Sequence, residues 1–321
     1  MRILYGVLVF VCLFFTGLPA HPFEGPLQVK NSFPIFLHAD QPYLEKAAAE
    51  NSVSLSLSHS STYTVQSSAD WEIGLDMEIT ELNLRYKRII MDAVELGIDV
   101  PLLIIGGGFT DNFLENYHQA VGLKDPYGRG QRPHNEFLYI VRRDGRPVIE
   151  GKSGTKIGDI RLALKKPLIS GDGFSLSVRG DVELPSGNAK EGYGNGSVDA
   201  AVSLLLDKKI TDSIMTNWNI GAVFPGDVKG HEEVELENFV YGGAAVEALL
   251  GSGYSLLVQV LGQSPIYPDT DLMAIDREAW LLAFGGRYEK DNGSWELSLT
   301  EDINNSGAPD YILNLTYKLK L

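Results

Sequence analysis

The chain has 1 cysteine, Cys12, and it lies inside the apolar stretch at the N-terminus, so the rest of the chain has neither disulfides nor thiolate metal sites. Long hydrophobic runs are equally scarce. Beyond that first stretch no run reaches the roughly 18 apolar residues of a transmembrane helix, which excludes a helical membrane protein. The 6 histidines are dispersed, so no metal site is expected, and no cofactor is expected either. Basic residues are outnumbered, 27 Lys and Arg against 42 Asp and Glu, and a formal charge of −15 excludes nucleic acid as a partner class and disfavours an anionic lipid surface. A mean hydropathy of −0.04 does not identify a soluble protein, because strands with one apolar and one polar face average to the same value.

The N-terminus is organised for export. Arg2 supplies a basic start, Ile3 to Phe15 an apolar run, and Leu18-Pro19-Ala20 a cleavage site before His21, so residues 1–20 are predicted to be a Sec signal peptide cleaved near Ala20. The run is shorter than the ~20 residues that span a bilayer. Val-Phe-Val precedes Cys12 where a lipidated cysteine needs a small residue. Residues 21–50 then form a periplasmic or plug segment, and 51–321 a second unit.

That second unit is written in period two. From Tyr311 to Leu321 apolar residues occupy 311, 313, 315, 317, 319 and 321, while Asn314, Thr316, Lys318 and Lys320 lie between them. Strand side chains alternate between faces, so this segment has one apolar and one polar face and runs to the end of the sequence. The same alternation marks Val53/Leu55/Leu57, Leu82/Leu84/Tyr86, Val94 to Leu102, Ile160/Leu162/Leu164, Phe174 to Leu184, Val198 to Leu204, Trp218 to Phe224, Val240 to Ala248, Tyr254 to Val260, Trp280 to Tyr288 and Trp295 to Leu299. About twelve strands result, an even number as single-chain bacterial barrels have. Links near 87–92, 169–173, 208–213, 251–253 and 289–293 are short, and those at 60–76, 105–157, 185–196, 225–238, 263–277 and 302–309 are longer, the asymmetry of periplasmic turns and extracellular loops. Tyr86, Trp218, Phe224, Tyr254, Trp280, Tyr288, Trp295 and Tyr317 fall near strand ends on the apolar face, as interfacial girdles do. The expected fold is all-β: a closed antiparallel transmembrane β-barrel of the bacterial outer membrane, its last strand closing against 52–59.

The segment 105–157 departs from the pattern. Thr110 or Asp111 is placed to cap a short amphipathic helix carrying Phe113, Leu114, Tyr117, Ala120 and Val121, which Gly122 would end. Phe137–Val141 and Arg146–Ile149 flank Asp144-Gly145, a tight-turn signal for a hairpin. This long structured loop is expected to be an extracellular cap or an inward constriction.

Candidate chemistry is thin outside the lumen. Five residues, not the four of a phosphate loop, separate Gly145 from Gly151 before Lys152-Ser153, and no βαβ unit surrounds Gly106-Gly-Gly-Phe109. His59 and Ser61 extend the outward face of the first strand, where outer-membrane phospholipases carry a His-x-Ser pair; a base and nucleophile need that adjacency and a third group to orient the imidazole. No such group is evident on the second strand, and a polar rim pair is the plainer reading. Glu81, Arg85, Glu95, Asp99, Asp159, Arg161, Arg179, Asp181, Glu183, Asp199, Glu247, Arg287 and Glu296 all take polar-face positions and are expected to line the lumen, either paired to stiffen a closed barrel or open to a solute path. Glu232, Glu233, Glu235 and Glu237, with Asp269, Asp271 and Asp276, make acidic loops suited to cation bridging with lipopolysaccharide.

The blocks Gly107-Gly-Phe-Thr-Asp-Asn-Phe-Leu-Glu-Asn-Tyr-His118, Gly158-Asp-Ile-Arg-Leu162, Val182-Glu-Leu-Pro-Ser-Gly187, Thr300-Glu-Asp-Ile-Asn-Asn305 and Ala308-Pro-Asp-Tyr311 resemble a family of Gram-negative outer-membrane proteins of unknown function. The resemblance implies a single barrel domain and brings no reaction, ligand or catalytic residue with it. A narrow channel or solute transporter for an unknown small solute is the expected function. An envelope structural or adhesion barrel with a closed lumen is the alternative, and an outer-membrane lipid hydrolase the second. Expected partners are outer-membrane lipid, lipopolysaccharide and the barrel-assembly machinery, which would read Tyr317, Leu319 and Leu321 as a terminal signal. Replacing those three residues with Ser is expected to abolish outer-membrane insertion; normal levels of the variant in outer-membrane fractions would refute the signal.

Overall fold

A computed structural model describes residues 23–91, 93–111, 133–304 and 306–321. The signal peptide predicted at 1–20 and the body of the helix predicted beyond Asp111 lie outside the described residues. Its strands are β1 (Ser52–Ser67), β2 (Trp71–Ile90), β3 (Val94–Gly106), β4 (Leu138–Arg143), β5 (Arg146–Glu150), β6 (Gly154–Ile157), β7 (Ile160–Ser170), β8 (Phe174–Leu184) and β9 (Asp199–Thr211). They continue with β10 (Ile214–Phe224), β11 (Val228–Lys229), β12 (Glu233–Val234), β13 (Phe239–Gly251), β14 (Tyr254–Gln263), β15 (Ala279–Lys290), β16 (Gly293–Asp302) and β17 (Tyr311–Lys320).

All of these except β4, β5, β6, β11 and β12 form a closed antiparallel barrel of 12 strands. Each is bonded to its chain neighbours, and β17 closes on β1 from Ser52↔Lys320 to Ser61↔Tyr311. Closure leaves no open strand edge between β1 and β17, the condition for crossing hydrocarbon with strands. The barrel's faces are inverted relative to a soluble protein. Leu57, Leu84, Leu164, Leu204, Ile220, Val258, Phe284, Leu297 and Leu315 are exposed on the outside, while Ser54, Arg85, Lys165, Asp207, Glu247, Arg287 and Lys318 are buried inside. Such a belt far exceeds the apolar patches that soluble monomers expose. Tyr254 and Tyr288, and Trp295 and Tyr317, stack as cross-strand pairs with ring centroids 4.7 Å apart at the end of the tight turns. Those turns need left-handed backbone: Ser252 and Gly253 have φ of 54° and 83°, and a Cβ on Gly253 would lie 2.2 Å from the Glu289 carbonyl oxygen.

One expected loop is strand instead. The link predicted at 60–76 shrinks to Ser68–Asp70, because β1 and β2 stay paired up to Ser67↔Glu72. The physical reason lies in the inward residues of β2. From the turn end upward they are Lys87, Arg85, Asn83 and Glu81, then Ile79, Met77, Leu75, Ile73 and Trp71, all buried. The inward face therefore changes from polar to apolar halfway along one strand. Above that point the hairpin β4–β5 is paired onto the wall: β4 pairs with Trp71–Asp76 of β2, and β6 pairs with Leu102–Ile105 of β3. Asp144 and Gly145, with φ of 52° and 73°, make the predicted turn. Tyr139, Val141, Val148 and Ile149 join Ile73, Leu75, Leu103, Ile105, Phe239 and Ile266 in an apolar core at the loop end. Burying each large side chain there contributes about 1.5–3 kcal/mol.

The described part of the N-terminal segment, 23–50, runs through the interior. It doubles back on itself at a bridge between Lys30 and Tyr43. Its tip, which contains the 3-10 turn Pro34–His38, brings Phe33 and Ile35 into the apolar core, and Tyr139 donates its hydroxyl to the Pro34 carbonyl at 3.1 Å. Its two arms lie lower, against the charged wall.

Candidate functional site

Alternating charges on a strand must be solvated or paired, and here the N-terminal arms supply the partners. Glu45 lies among Lys87, Lys165 and Arg179, its Oε2 at 3.4 Å from Lys165 Nζ and 3.6 Å from Arg179 Nη1. Lys165 is fully enclosed, with Glu95 Oε1 at 3.0 Å and donations to the carbonyls of Lys46 and Ala48 at 3.1 Å each. Nearer the tight turns, Lys318 sits 2.9 Å from both Glu24 Oε2 and Glu50 Oε2, and Lys46 reaches Glu50 at 2.6 Å. Lys87 and Lys320 complete these contacts on Glu50 and Glu24.

Tyr43 is the centre of the next layer. The guanidinium carbons of Arg85, Arg179 and Arg161 lie 4.0, 4.7 and 5.0 Å from its ring centroid, within cation–π range. Its hydroxyl donates to Asp99 Oδ2 at 3.0 Å and accepts from Arg179 Nη2 at 2.8 Å. Burial pushes that hydroxyl above the ordinary tyrosine value against the opposing pull of Arg179 and Arg85, so it remains a donor.

Every residue predicted to line the lumen is buried, at 9% exposure or less. Arg85 bonds Asp99 at 2.9 Å, Arg179 bonds Asp181 at 2.5 Å, and Arg161 lies beside Asp40 and 3.8 Å from Glu183. Arg287 joins Glu247 and Glu296 at 2.5 and 3.0 Å and donates to the Gly25 carbonyl at 2.8 Å. Glu95 meets Lys165, as above, and Glu81 pairs with Lys30 at 3.0 Å. Asp159 and Asp199 hold backbone instead: Asp159 accepts from Gly187 and Asn195, and Asp199 from Asp40 and Gly226. Sequence reasoning missed Lys165, Lys318, Asp207 and Asn219 on the wall. The signal was available for all four, since Lys165 continues the inward parity of Arg161, Asp207 that of Asp199, Asn219 lies between Trp218 and Ile220, and Lys318 between Tyr317 and Leu319. Glu24, Asp40, Tyr43, Glu45 and Glu50 lie in a segment without periodicity, and nothing local marks them.

His59 has the partners that the sequence did not reveal. Its Nδ1 is 2.8 Å from Thr80 Oγ1 and its Nε2 3.1 Å from Glu78 Oε2, both on β2, and Phe109 stacks on the ring at 5.4 Å. Glu78 also accepts the backbone N–H of Phe109 at 3.0 Å and of Thr110 at 2.6 Å. Gly108 permits this close cover: with φ of 73° it has only 1.9 Å between an ideal Cβ and Glu78 Cδ. Ser61 is buried opposite Glu78 and Tyr311. Both imidazole nitrogens thus lie against side chains of β2, Nδ1 in a hydrogen bond and Nε2 in contact with the Glu78 carboxylate, and the group ties the start of the long loop to the outer wall.

The family profile described as "Protein of unknown function (DUF3187)" matches residues 3–321. No curated protein matches the sequence. Among solved structures, the COG4313 outer membrane channel from Pseudomonas putida F1 is 13% identical, with a TM-score of 0.57 over 87% of this chain and 98% of that one. The KdgM porin is 7% identical (TM-score 0.45, 84% of this chain, 99% of that one), and the Pseudomonas putida toluene transporter TodX 10% identical (TM-score 0.41, 90% and 98%). The first of these similarities establishes the fold as that of an outer-membrane barrel.

Glu45→Gln is expected to loosen the N-terminal arms, because it leaves buried cations short of a counter-charge at a cost of about 3–5 kcal/mol. Limited proteolysis of folded protein should cut within 23–50 faster than in the wild type. Equal cleavage would show that Glu45 does not hold the segment.

Proposed function

The chain belongs to the DUF3187 family of unknown function, and from that premise we propose that it is a narrow outer-membrane channel for small solutes, closed in this structure by its own N-terminal segment. Export by a signal at 1–20, cleavage near Ala20, insertion by the barrel-assembly machinery and contact with lipopolysaccharide are parts of the same reading. One observation carries it: the closing element is a separate stretch of chain, and most wall cations have a second partner on the wall. Arg85 keeps Asp99, Arg179 keeps Asp181, Lys165 keeps Glu95, and Arg287 keeps Glu247 and Glu296 if the arms withdraw. Withdrawal therefore strands few charges and leaves a polar lumen that water can fill. A plug whose every contact were essential to the wall would be structural instead.

The filled interior supports a second reading, an envelope barrel with a permanently closed lumen that displays its acidic loops. The lipid-hydrolase reading draws no support from Ser61, whose side chain is fully buried at 0% exposure.

Planar-bilayer recording separates the first two readings. The full chain is expected to be mostly closed, and deletion of 23–50 to give sustained conductance, with heat-modifiable migration on detergent gels as the control for folding. Silent bilayers from both proteins would overturn the channel. Acid should act in the same direction. Burial alone would raise the Glu24 carboxyl, but Lys318, Lys46 and Lys320 hold it at about 2, below the usual 4.5. Glu45 and Glu50 are likewise held well below their ordinary value, by Lys87, Lys165 and Arg179 and by Lys46, Lys318 and Lys87 respectively, against burial. A depressed carboxylate stabilises docking fully above its free pKa and loses that contribution as pH falls towards its bound value. Openings of the full chain should therefore become more frequent as pH is lowered from about 4.5 towards 2, and pH-independent closure over that range would count against these carboxylates as the clamp.

A further inference from the structure

The interior is not filled evenly. Between the N-terminal segment and the wall made by β17, β1, β2, β3 and β8, two cavities follow one another, each about 330 Å3 of space free of protein atoms with its mouth included. Ser56, Ser58, Asn83 and Asn314 line the first. The second, toward the loop end, is lined by Leu37, Ala39, Pro101 and Tyr193 together with the carboxylates of Asp159 and Glu183. Lys30 and Glu81 border both, so their 3.0 Å ion pair is the partition between them. Lys30 keeps 21% of its side chain exposed, and water therefore reaches the partition.

The chemistry of this seam differs from that around Tyr43. Glu81 Oε2 and Asn83 Oδ1 are buried acceptors with no hydrogen-bond partner among the described residues. Both residues border the first cavity, and both are more than nine-tenths buried, at 3% and 7% exposure. A buried acceptor without a donor is costly, so the site favours a molecule that brings donors. Charge is balanced at the first cavity, Lys30 by Glu81 and Arg85 by Asp99; at the second, Asp159 is taken up by the N–H groups of Gly187 and Asn195 and Glu183 lies 3.8 Å from Arg161, so a free ion finds no unengaged counter-charge and loses its hydration. On the opposite side, the cavity beside Tyr43, Arg161, Arg179 and Tyr241 is smaller, about 220 Å3, and its guanidinium groups are paired with carboxylates.

We propose that the seam past Lys30 and Glu81 is the solute path, that the ion pair is its narrowest point, and that it takes small uncharged molecules carrying hydroxyl or amide hydrogens. This rests on the channel reading above and specifies its route and solute class. The neutral solute meets donor-seeking oxygens on the wall, and the pair parts to let it pass while each charge keeps contact with water.

Because Cys12 is the 1 cysteine of the sequence, single thiols placed in residues 23–321 report access directly. Ser58→Cys and Ala39→Cys lie on either side of the partition, and Ser177→Cys, whose hydroxyl position is buried against the Ala47 carbonyl, is the control. Folded full-length chain carrying Cys12→Ser, in detergent, would be treated with methyl methanethiosulfonate and with its trimethylammonioethyl and sulfonatoethyl analogues, each variant first checked for heat-modifiable migration. The two seam thiols should react with the neutral reagent at least about tenfold faster than the control, the ratio given by ~1.4 kcal/mol of access free energy. They should also favour it over both charged reagents. Lys30→Ala should raise the cationic over the anionic rate at Ser58→Cys, and Glu81→Gln should do the reverse. Seam thiols as inert as the control, or rates indifferent to both substitutions, would overturn the path; a preference for a charged reagent in the unaltered pair would overturn the solute class. Failure of the two proposals is distinguishable: a conducting deletion of 23–50 with an inert Ser58→Cys removes the path alone, whereas silent bilayers remove the channel and its path together.

Discussion

Charge buried in a low-dielectric cylinder must be neutralised by something close, and this constraint organises the molecule. Hydrocarbon outside and a narrow bore inside leave the inward side chains with little water, so each cation needs a carboxylate or carbonyl in reach. Neighbouring strands provide part of that, as between Arg85 and Asp99 or Arg287 and Glu296. The rest comes from a piece of chain that is not a strand. Glu24, Glu45 and Glu50 enter where Lys318 and Lys87 would otherwise be in surplus, and backbone N–H groups of Glu24, Gly25 and Ala47 are spent on Glu247 and Asp207. Segment and wall are thus complementary at the level of single oxygens.

The interior has two layers with different energetics. In the lower one, docking exchanges water contacts for ion pairs and hydrogen bonds, an exchange whose net free energy is small compared with its parts. In the upper one, Phe33 and Ile35 are buried in an apolar core that no hydration compensates. A movement that frees only the arms therefore costs less than one that extracts the tip. The bridge between Lys30 and Tyr43 lies at the boundary between the two regimes, which makes it the natural hinge for such a partial movement.

How much of this was legible in the sequence follows from what alternation encodes. Period two reveals a wall and its two faces, so the closed barrel of 12 strands, its closure of β17 on β1 and the inward parity of Arg85, Arg161 or Glu296 were all readable. Alternation says nothing about what meets the inward face. The stretch 23–50 has no period, so the positions of Tyr43 and Glu45 emerge only in three dimensions. The same limit explains the missed partners of His59. Above Glu81 the inward residues of β2 turn apolar and the outward ones polar, so the alternation of Leu82, Leu84 and Tyr86 does not continue to Glu78 and Thr80 and does not mark them as outward neighbours of His59.

That inversion on β2 also explains why the start of the long loop is tied to the outer wall. Outward residues at this height have left the apolar belt, so a carboxylate and an imidazole can face outward provided their polar atoms are satisfied. Residues 107–111 satisfy them, giving Glu78 two backbone N–H groups and the Thr110 hydroxyl, and covering His59 with Phe109. Asp111 then accepts the N–H of Asn135 at 2.8 Å, so the two ends of the intervening stretch are joined beside the wall. The polar cluster outside and many of the ion pairs inside share one feature: where this barrel departs from apolar-out and water-in, a neighbouring irregular segment supplies hydrogen bonds or counter-charges that the strands do not. Irregular chain in this protein is therefore where the wall's unmet polar demand is answered, and it is also the part that can move without breaking the ladder of the barrel.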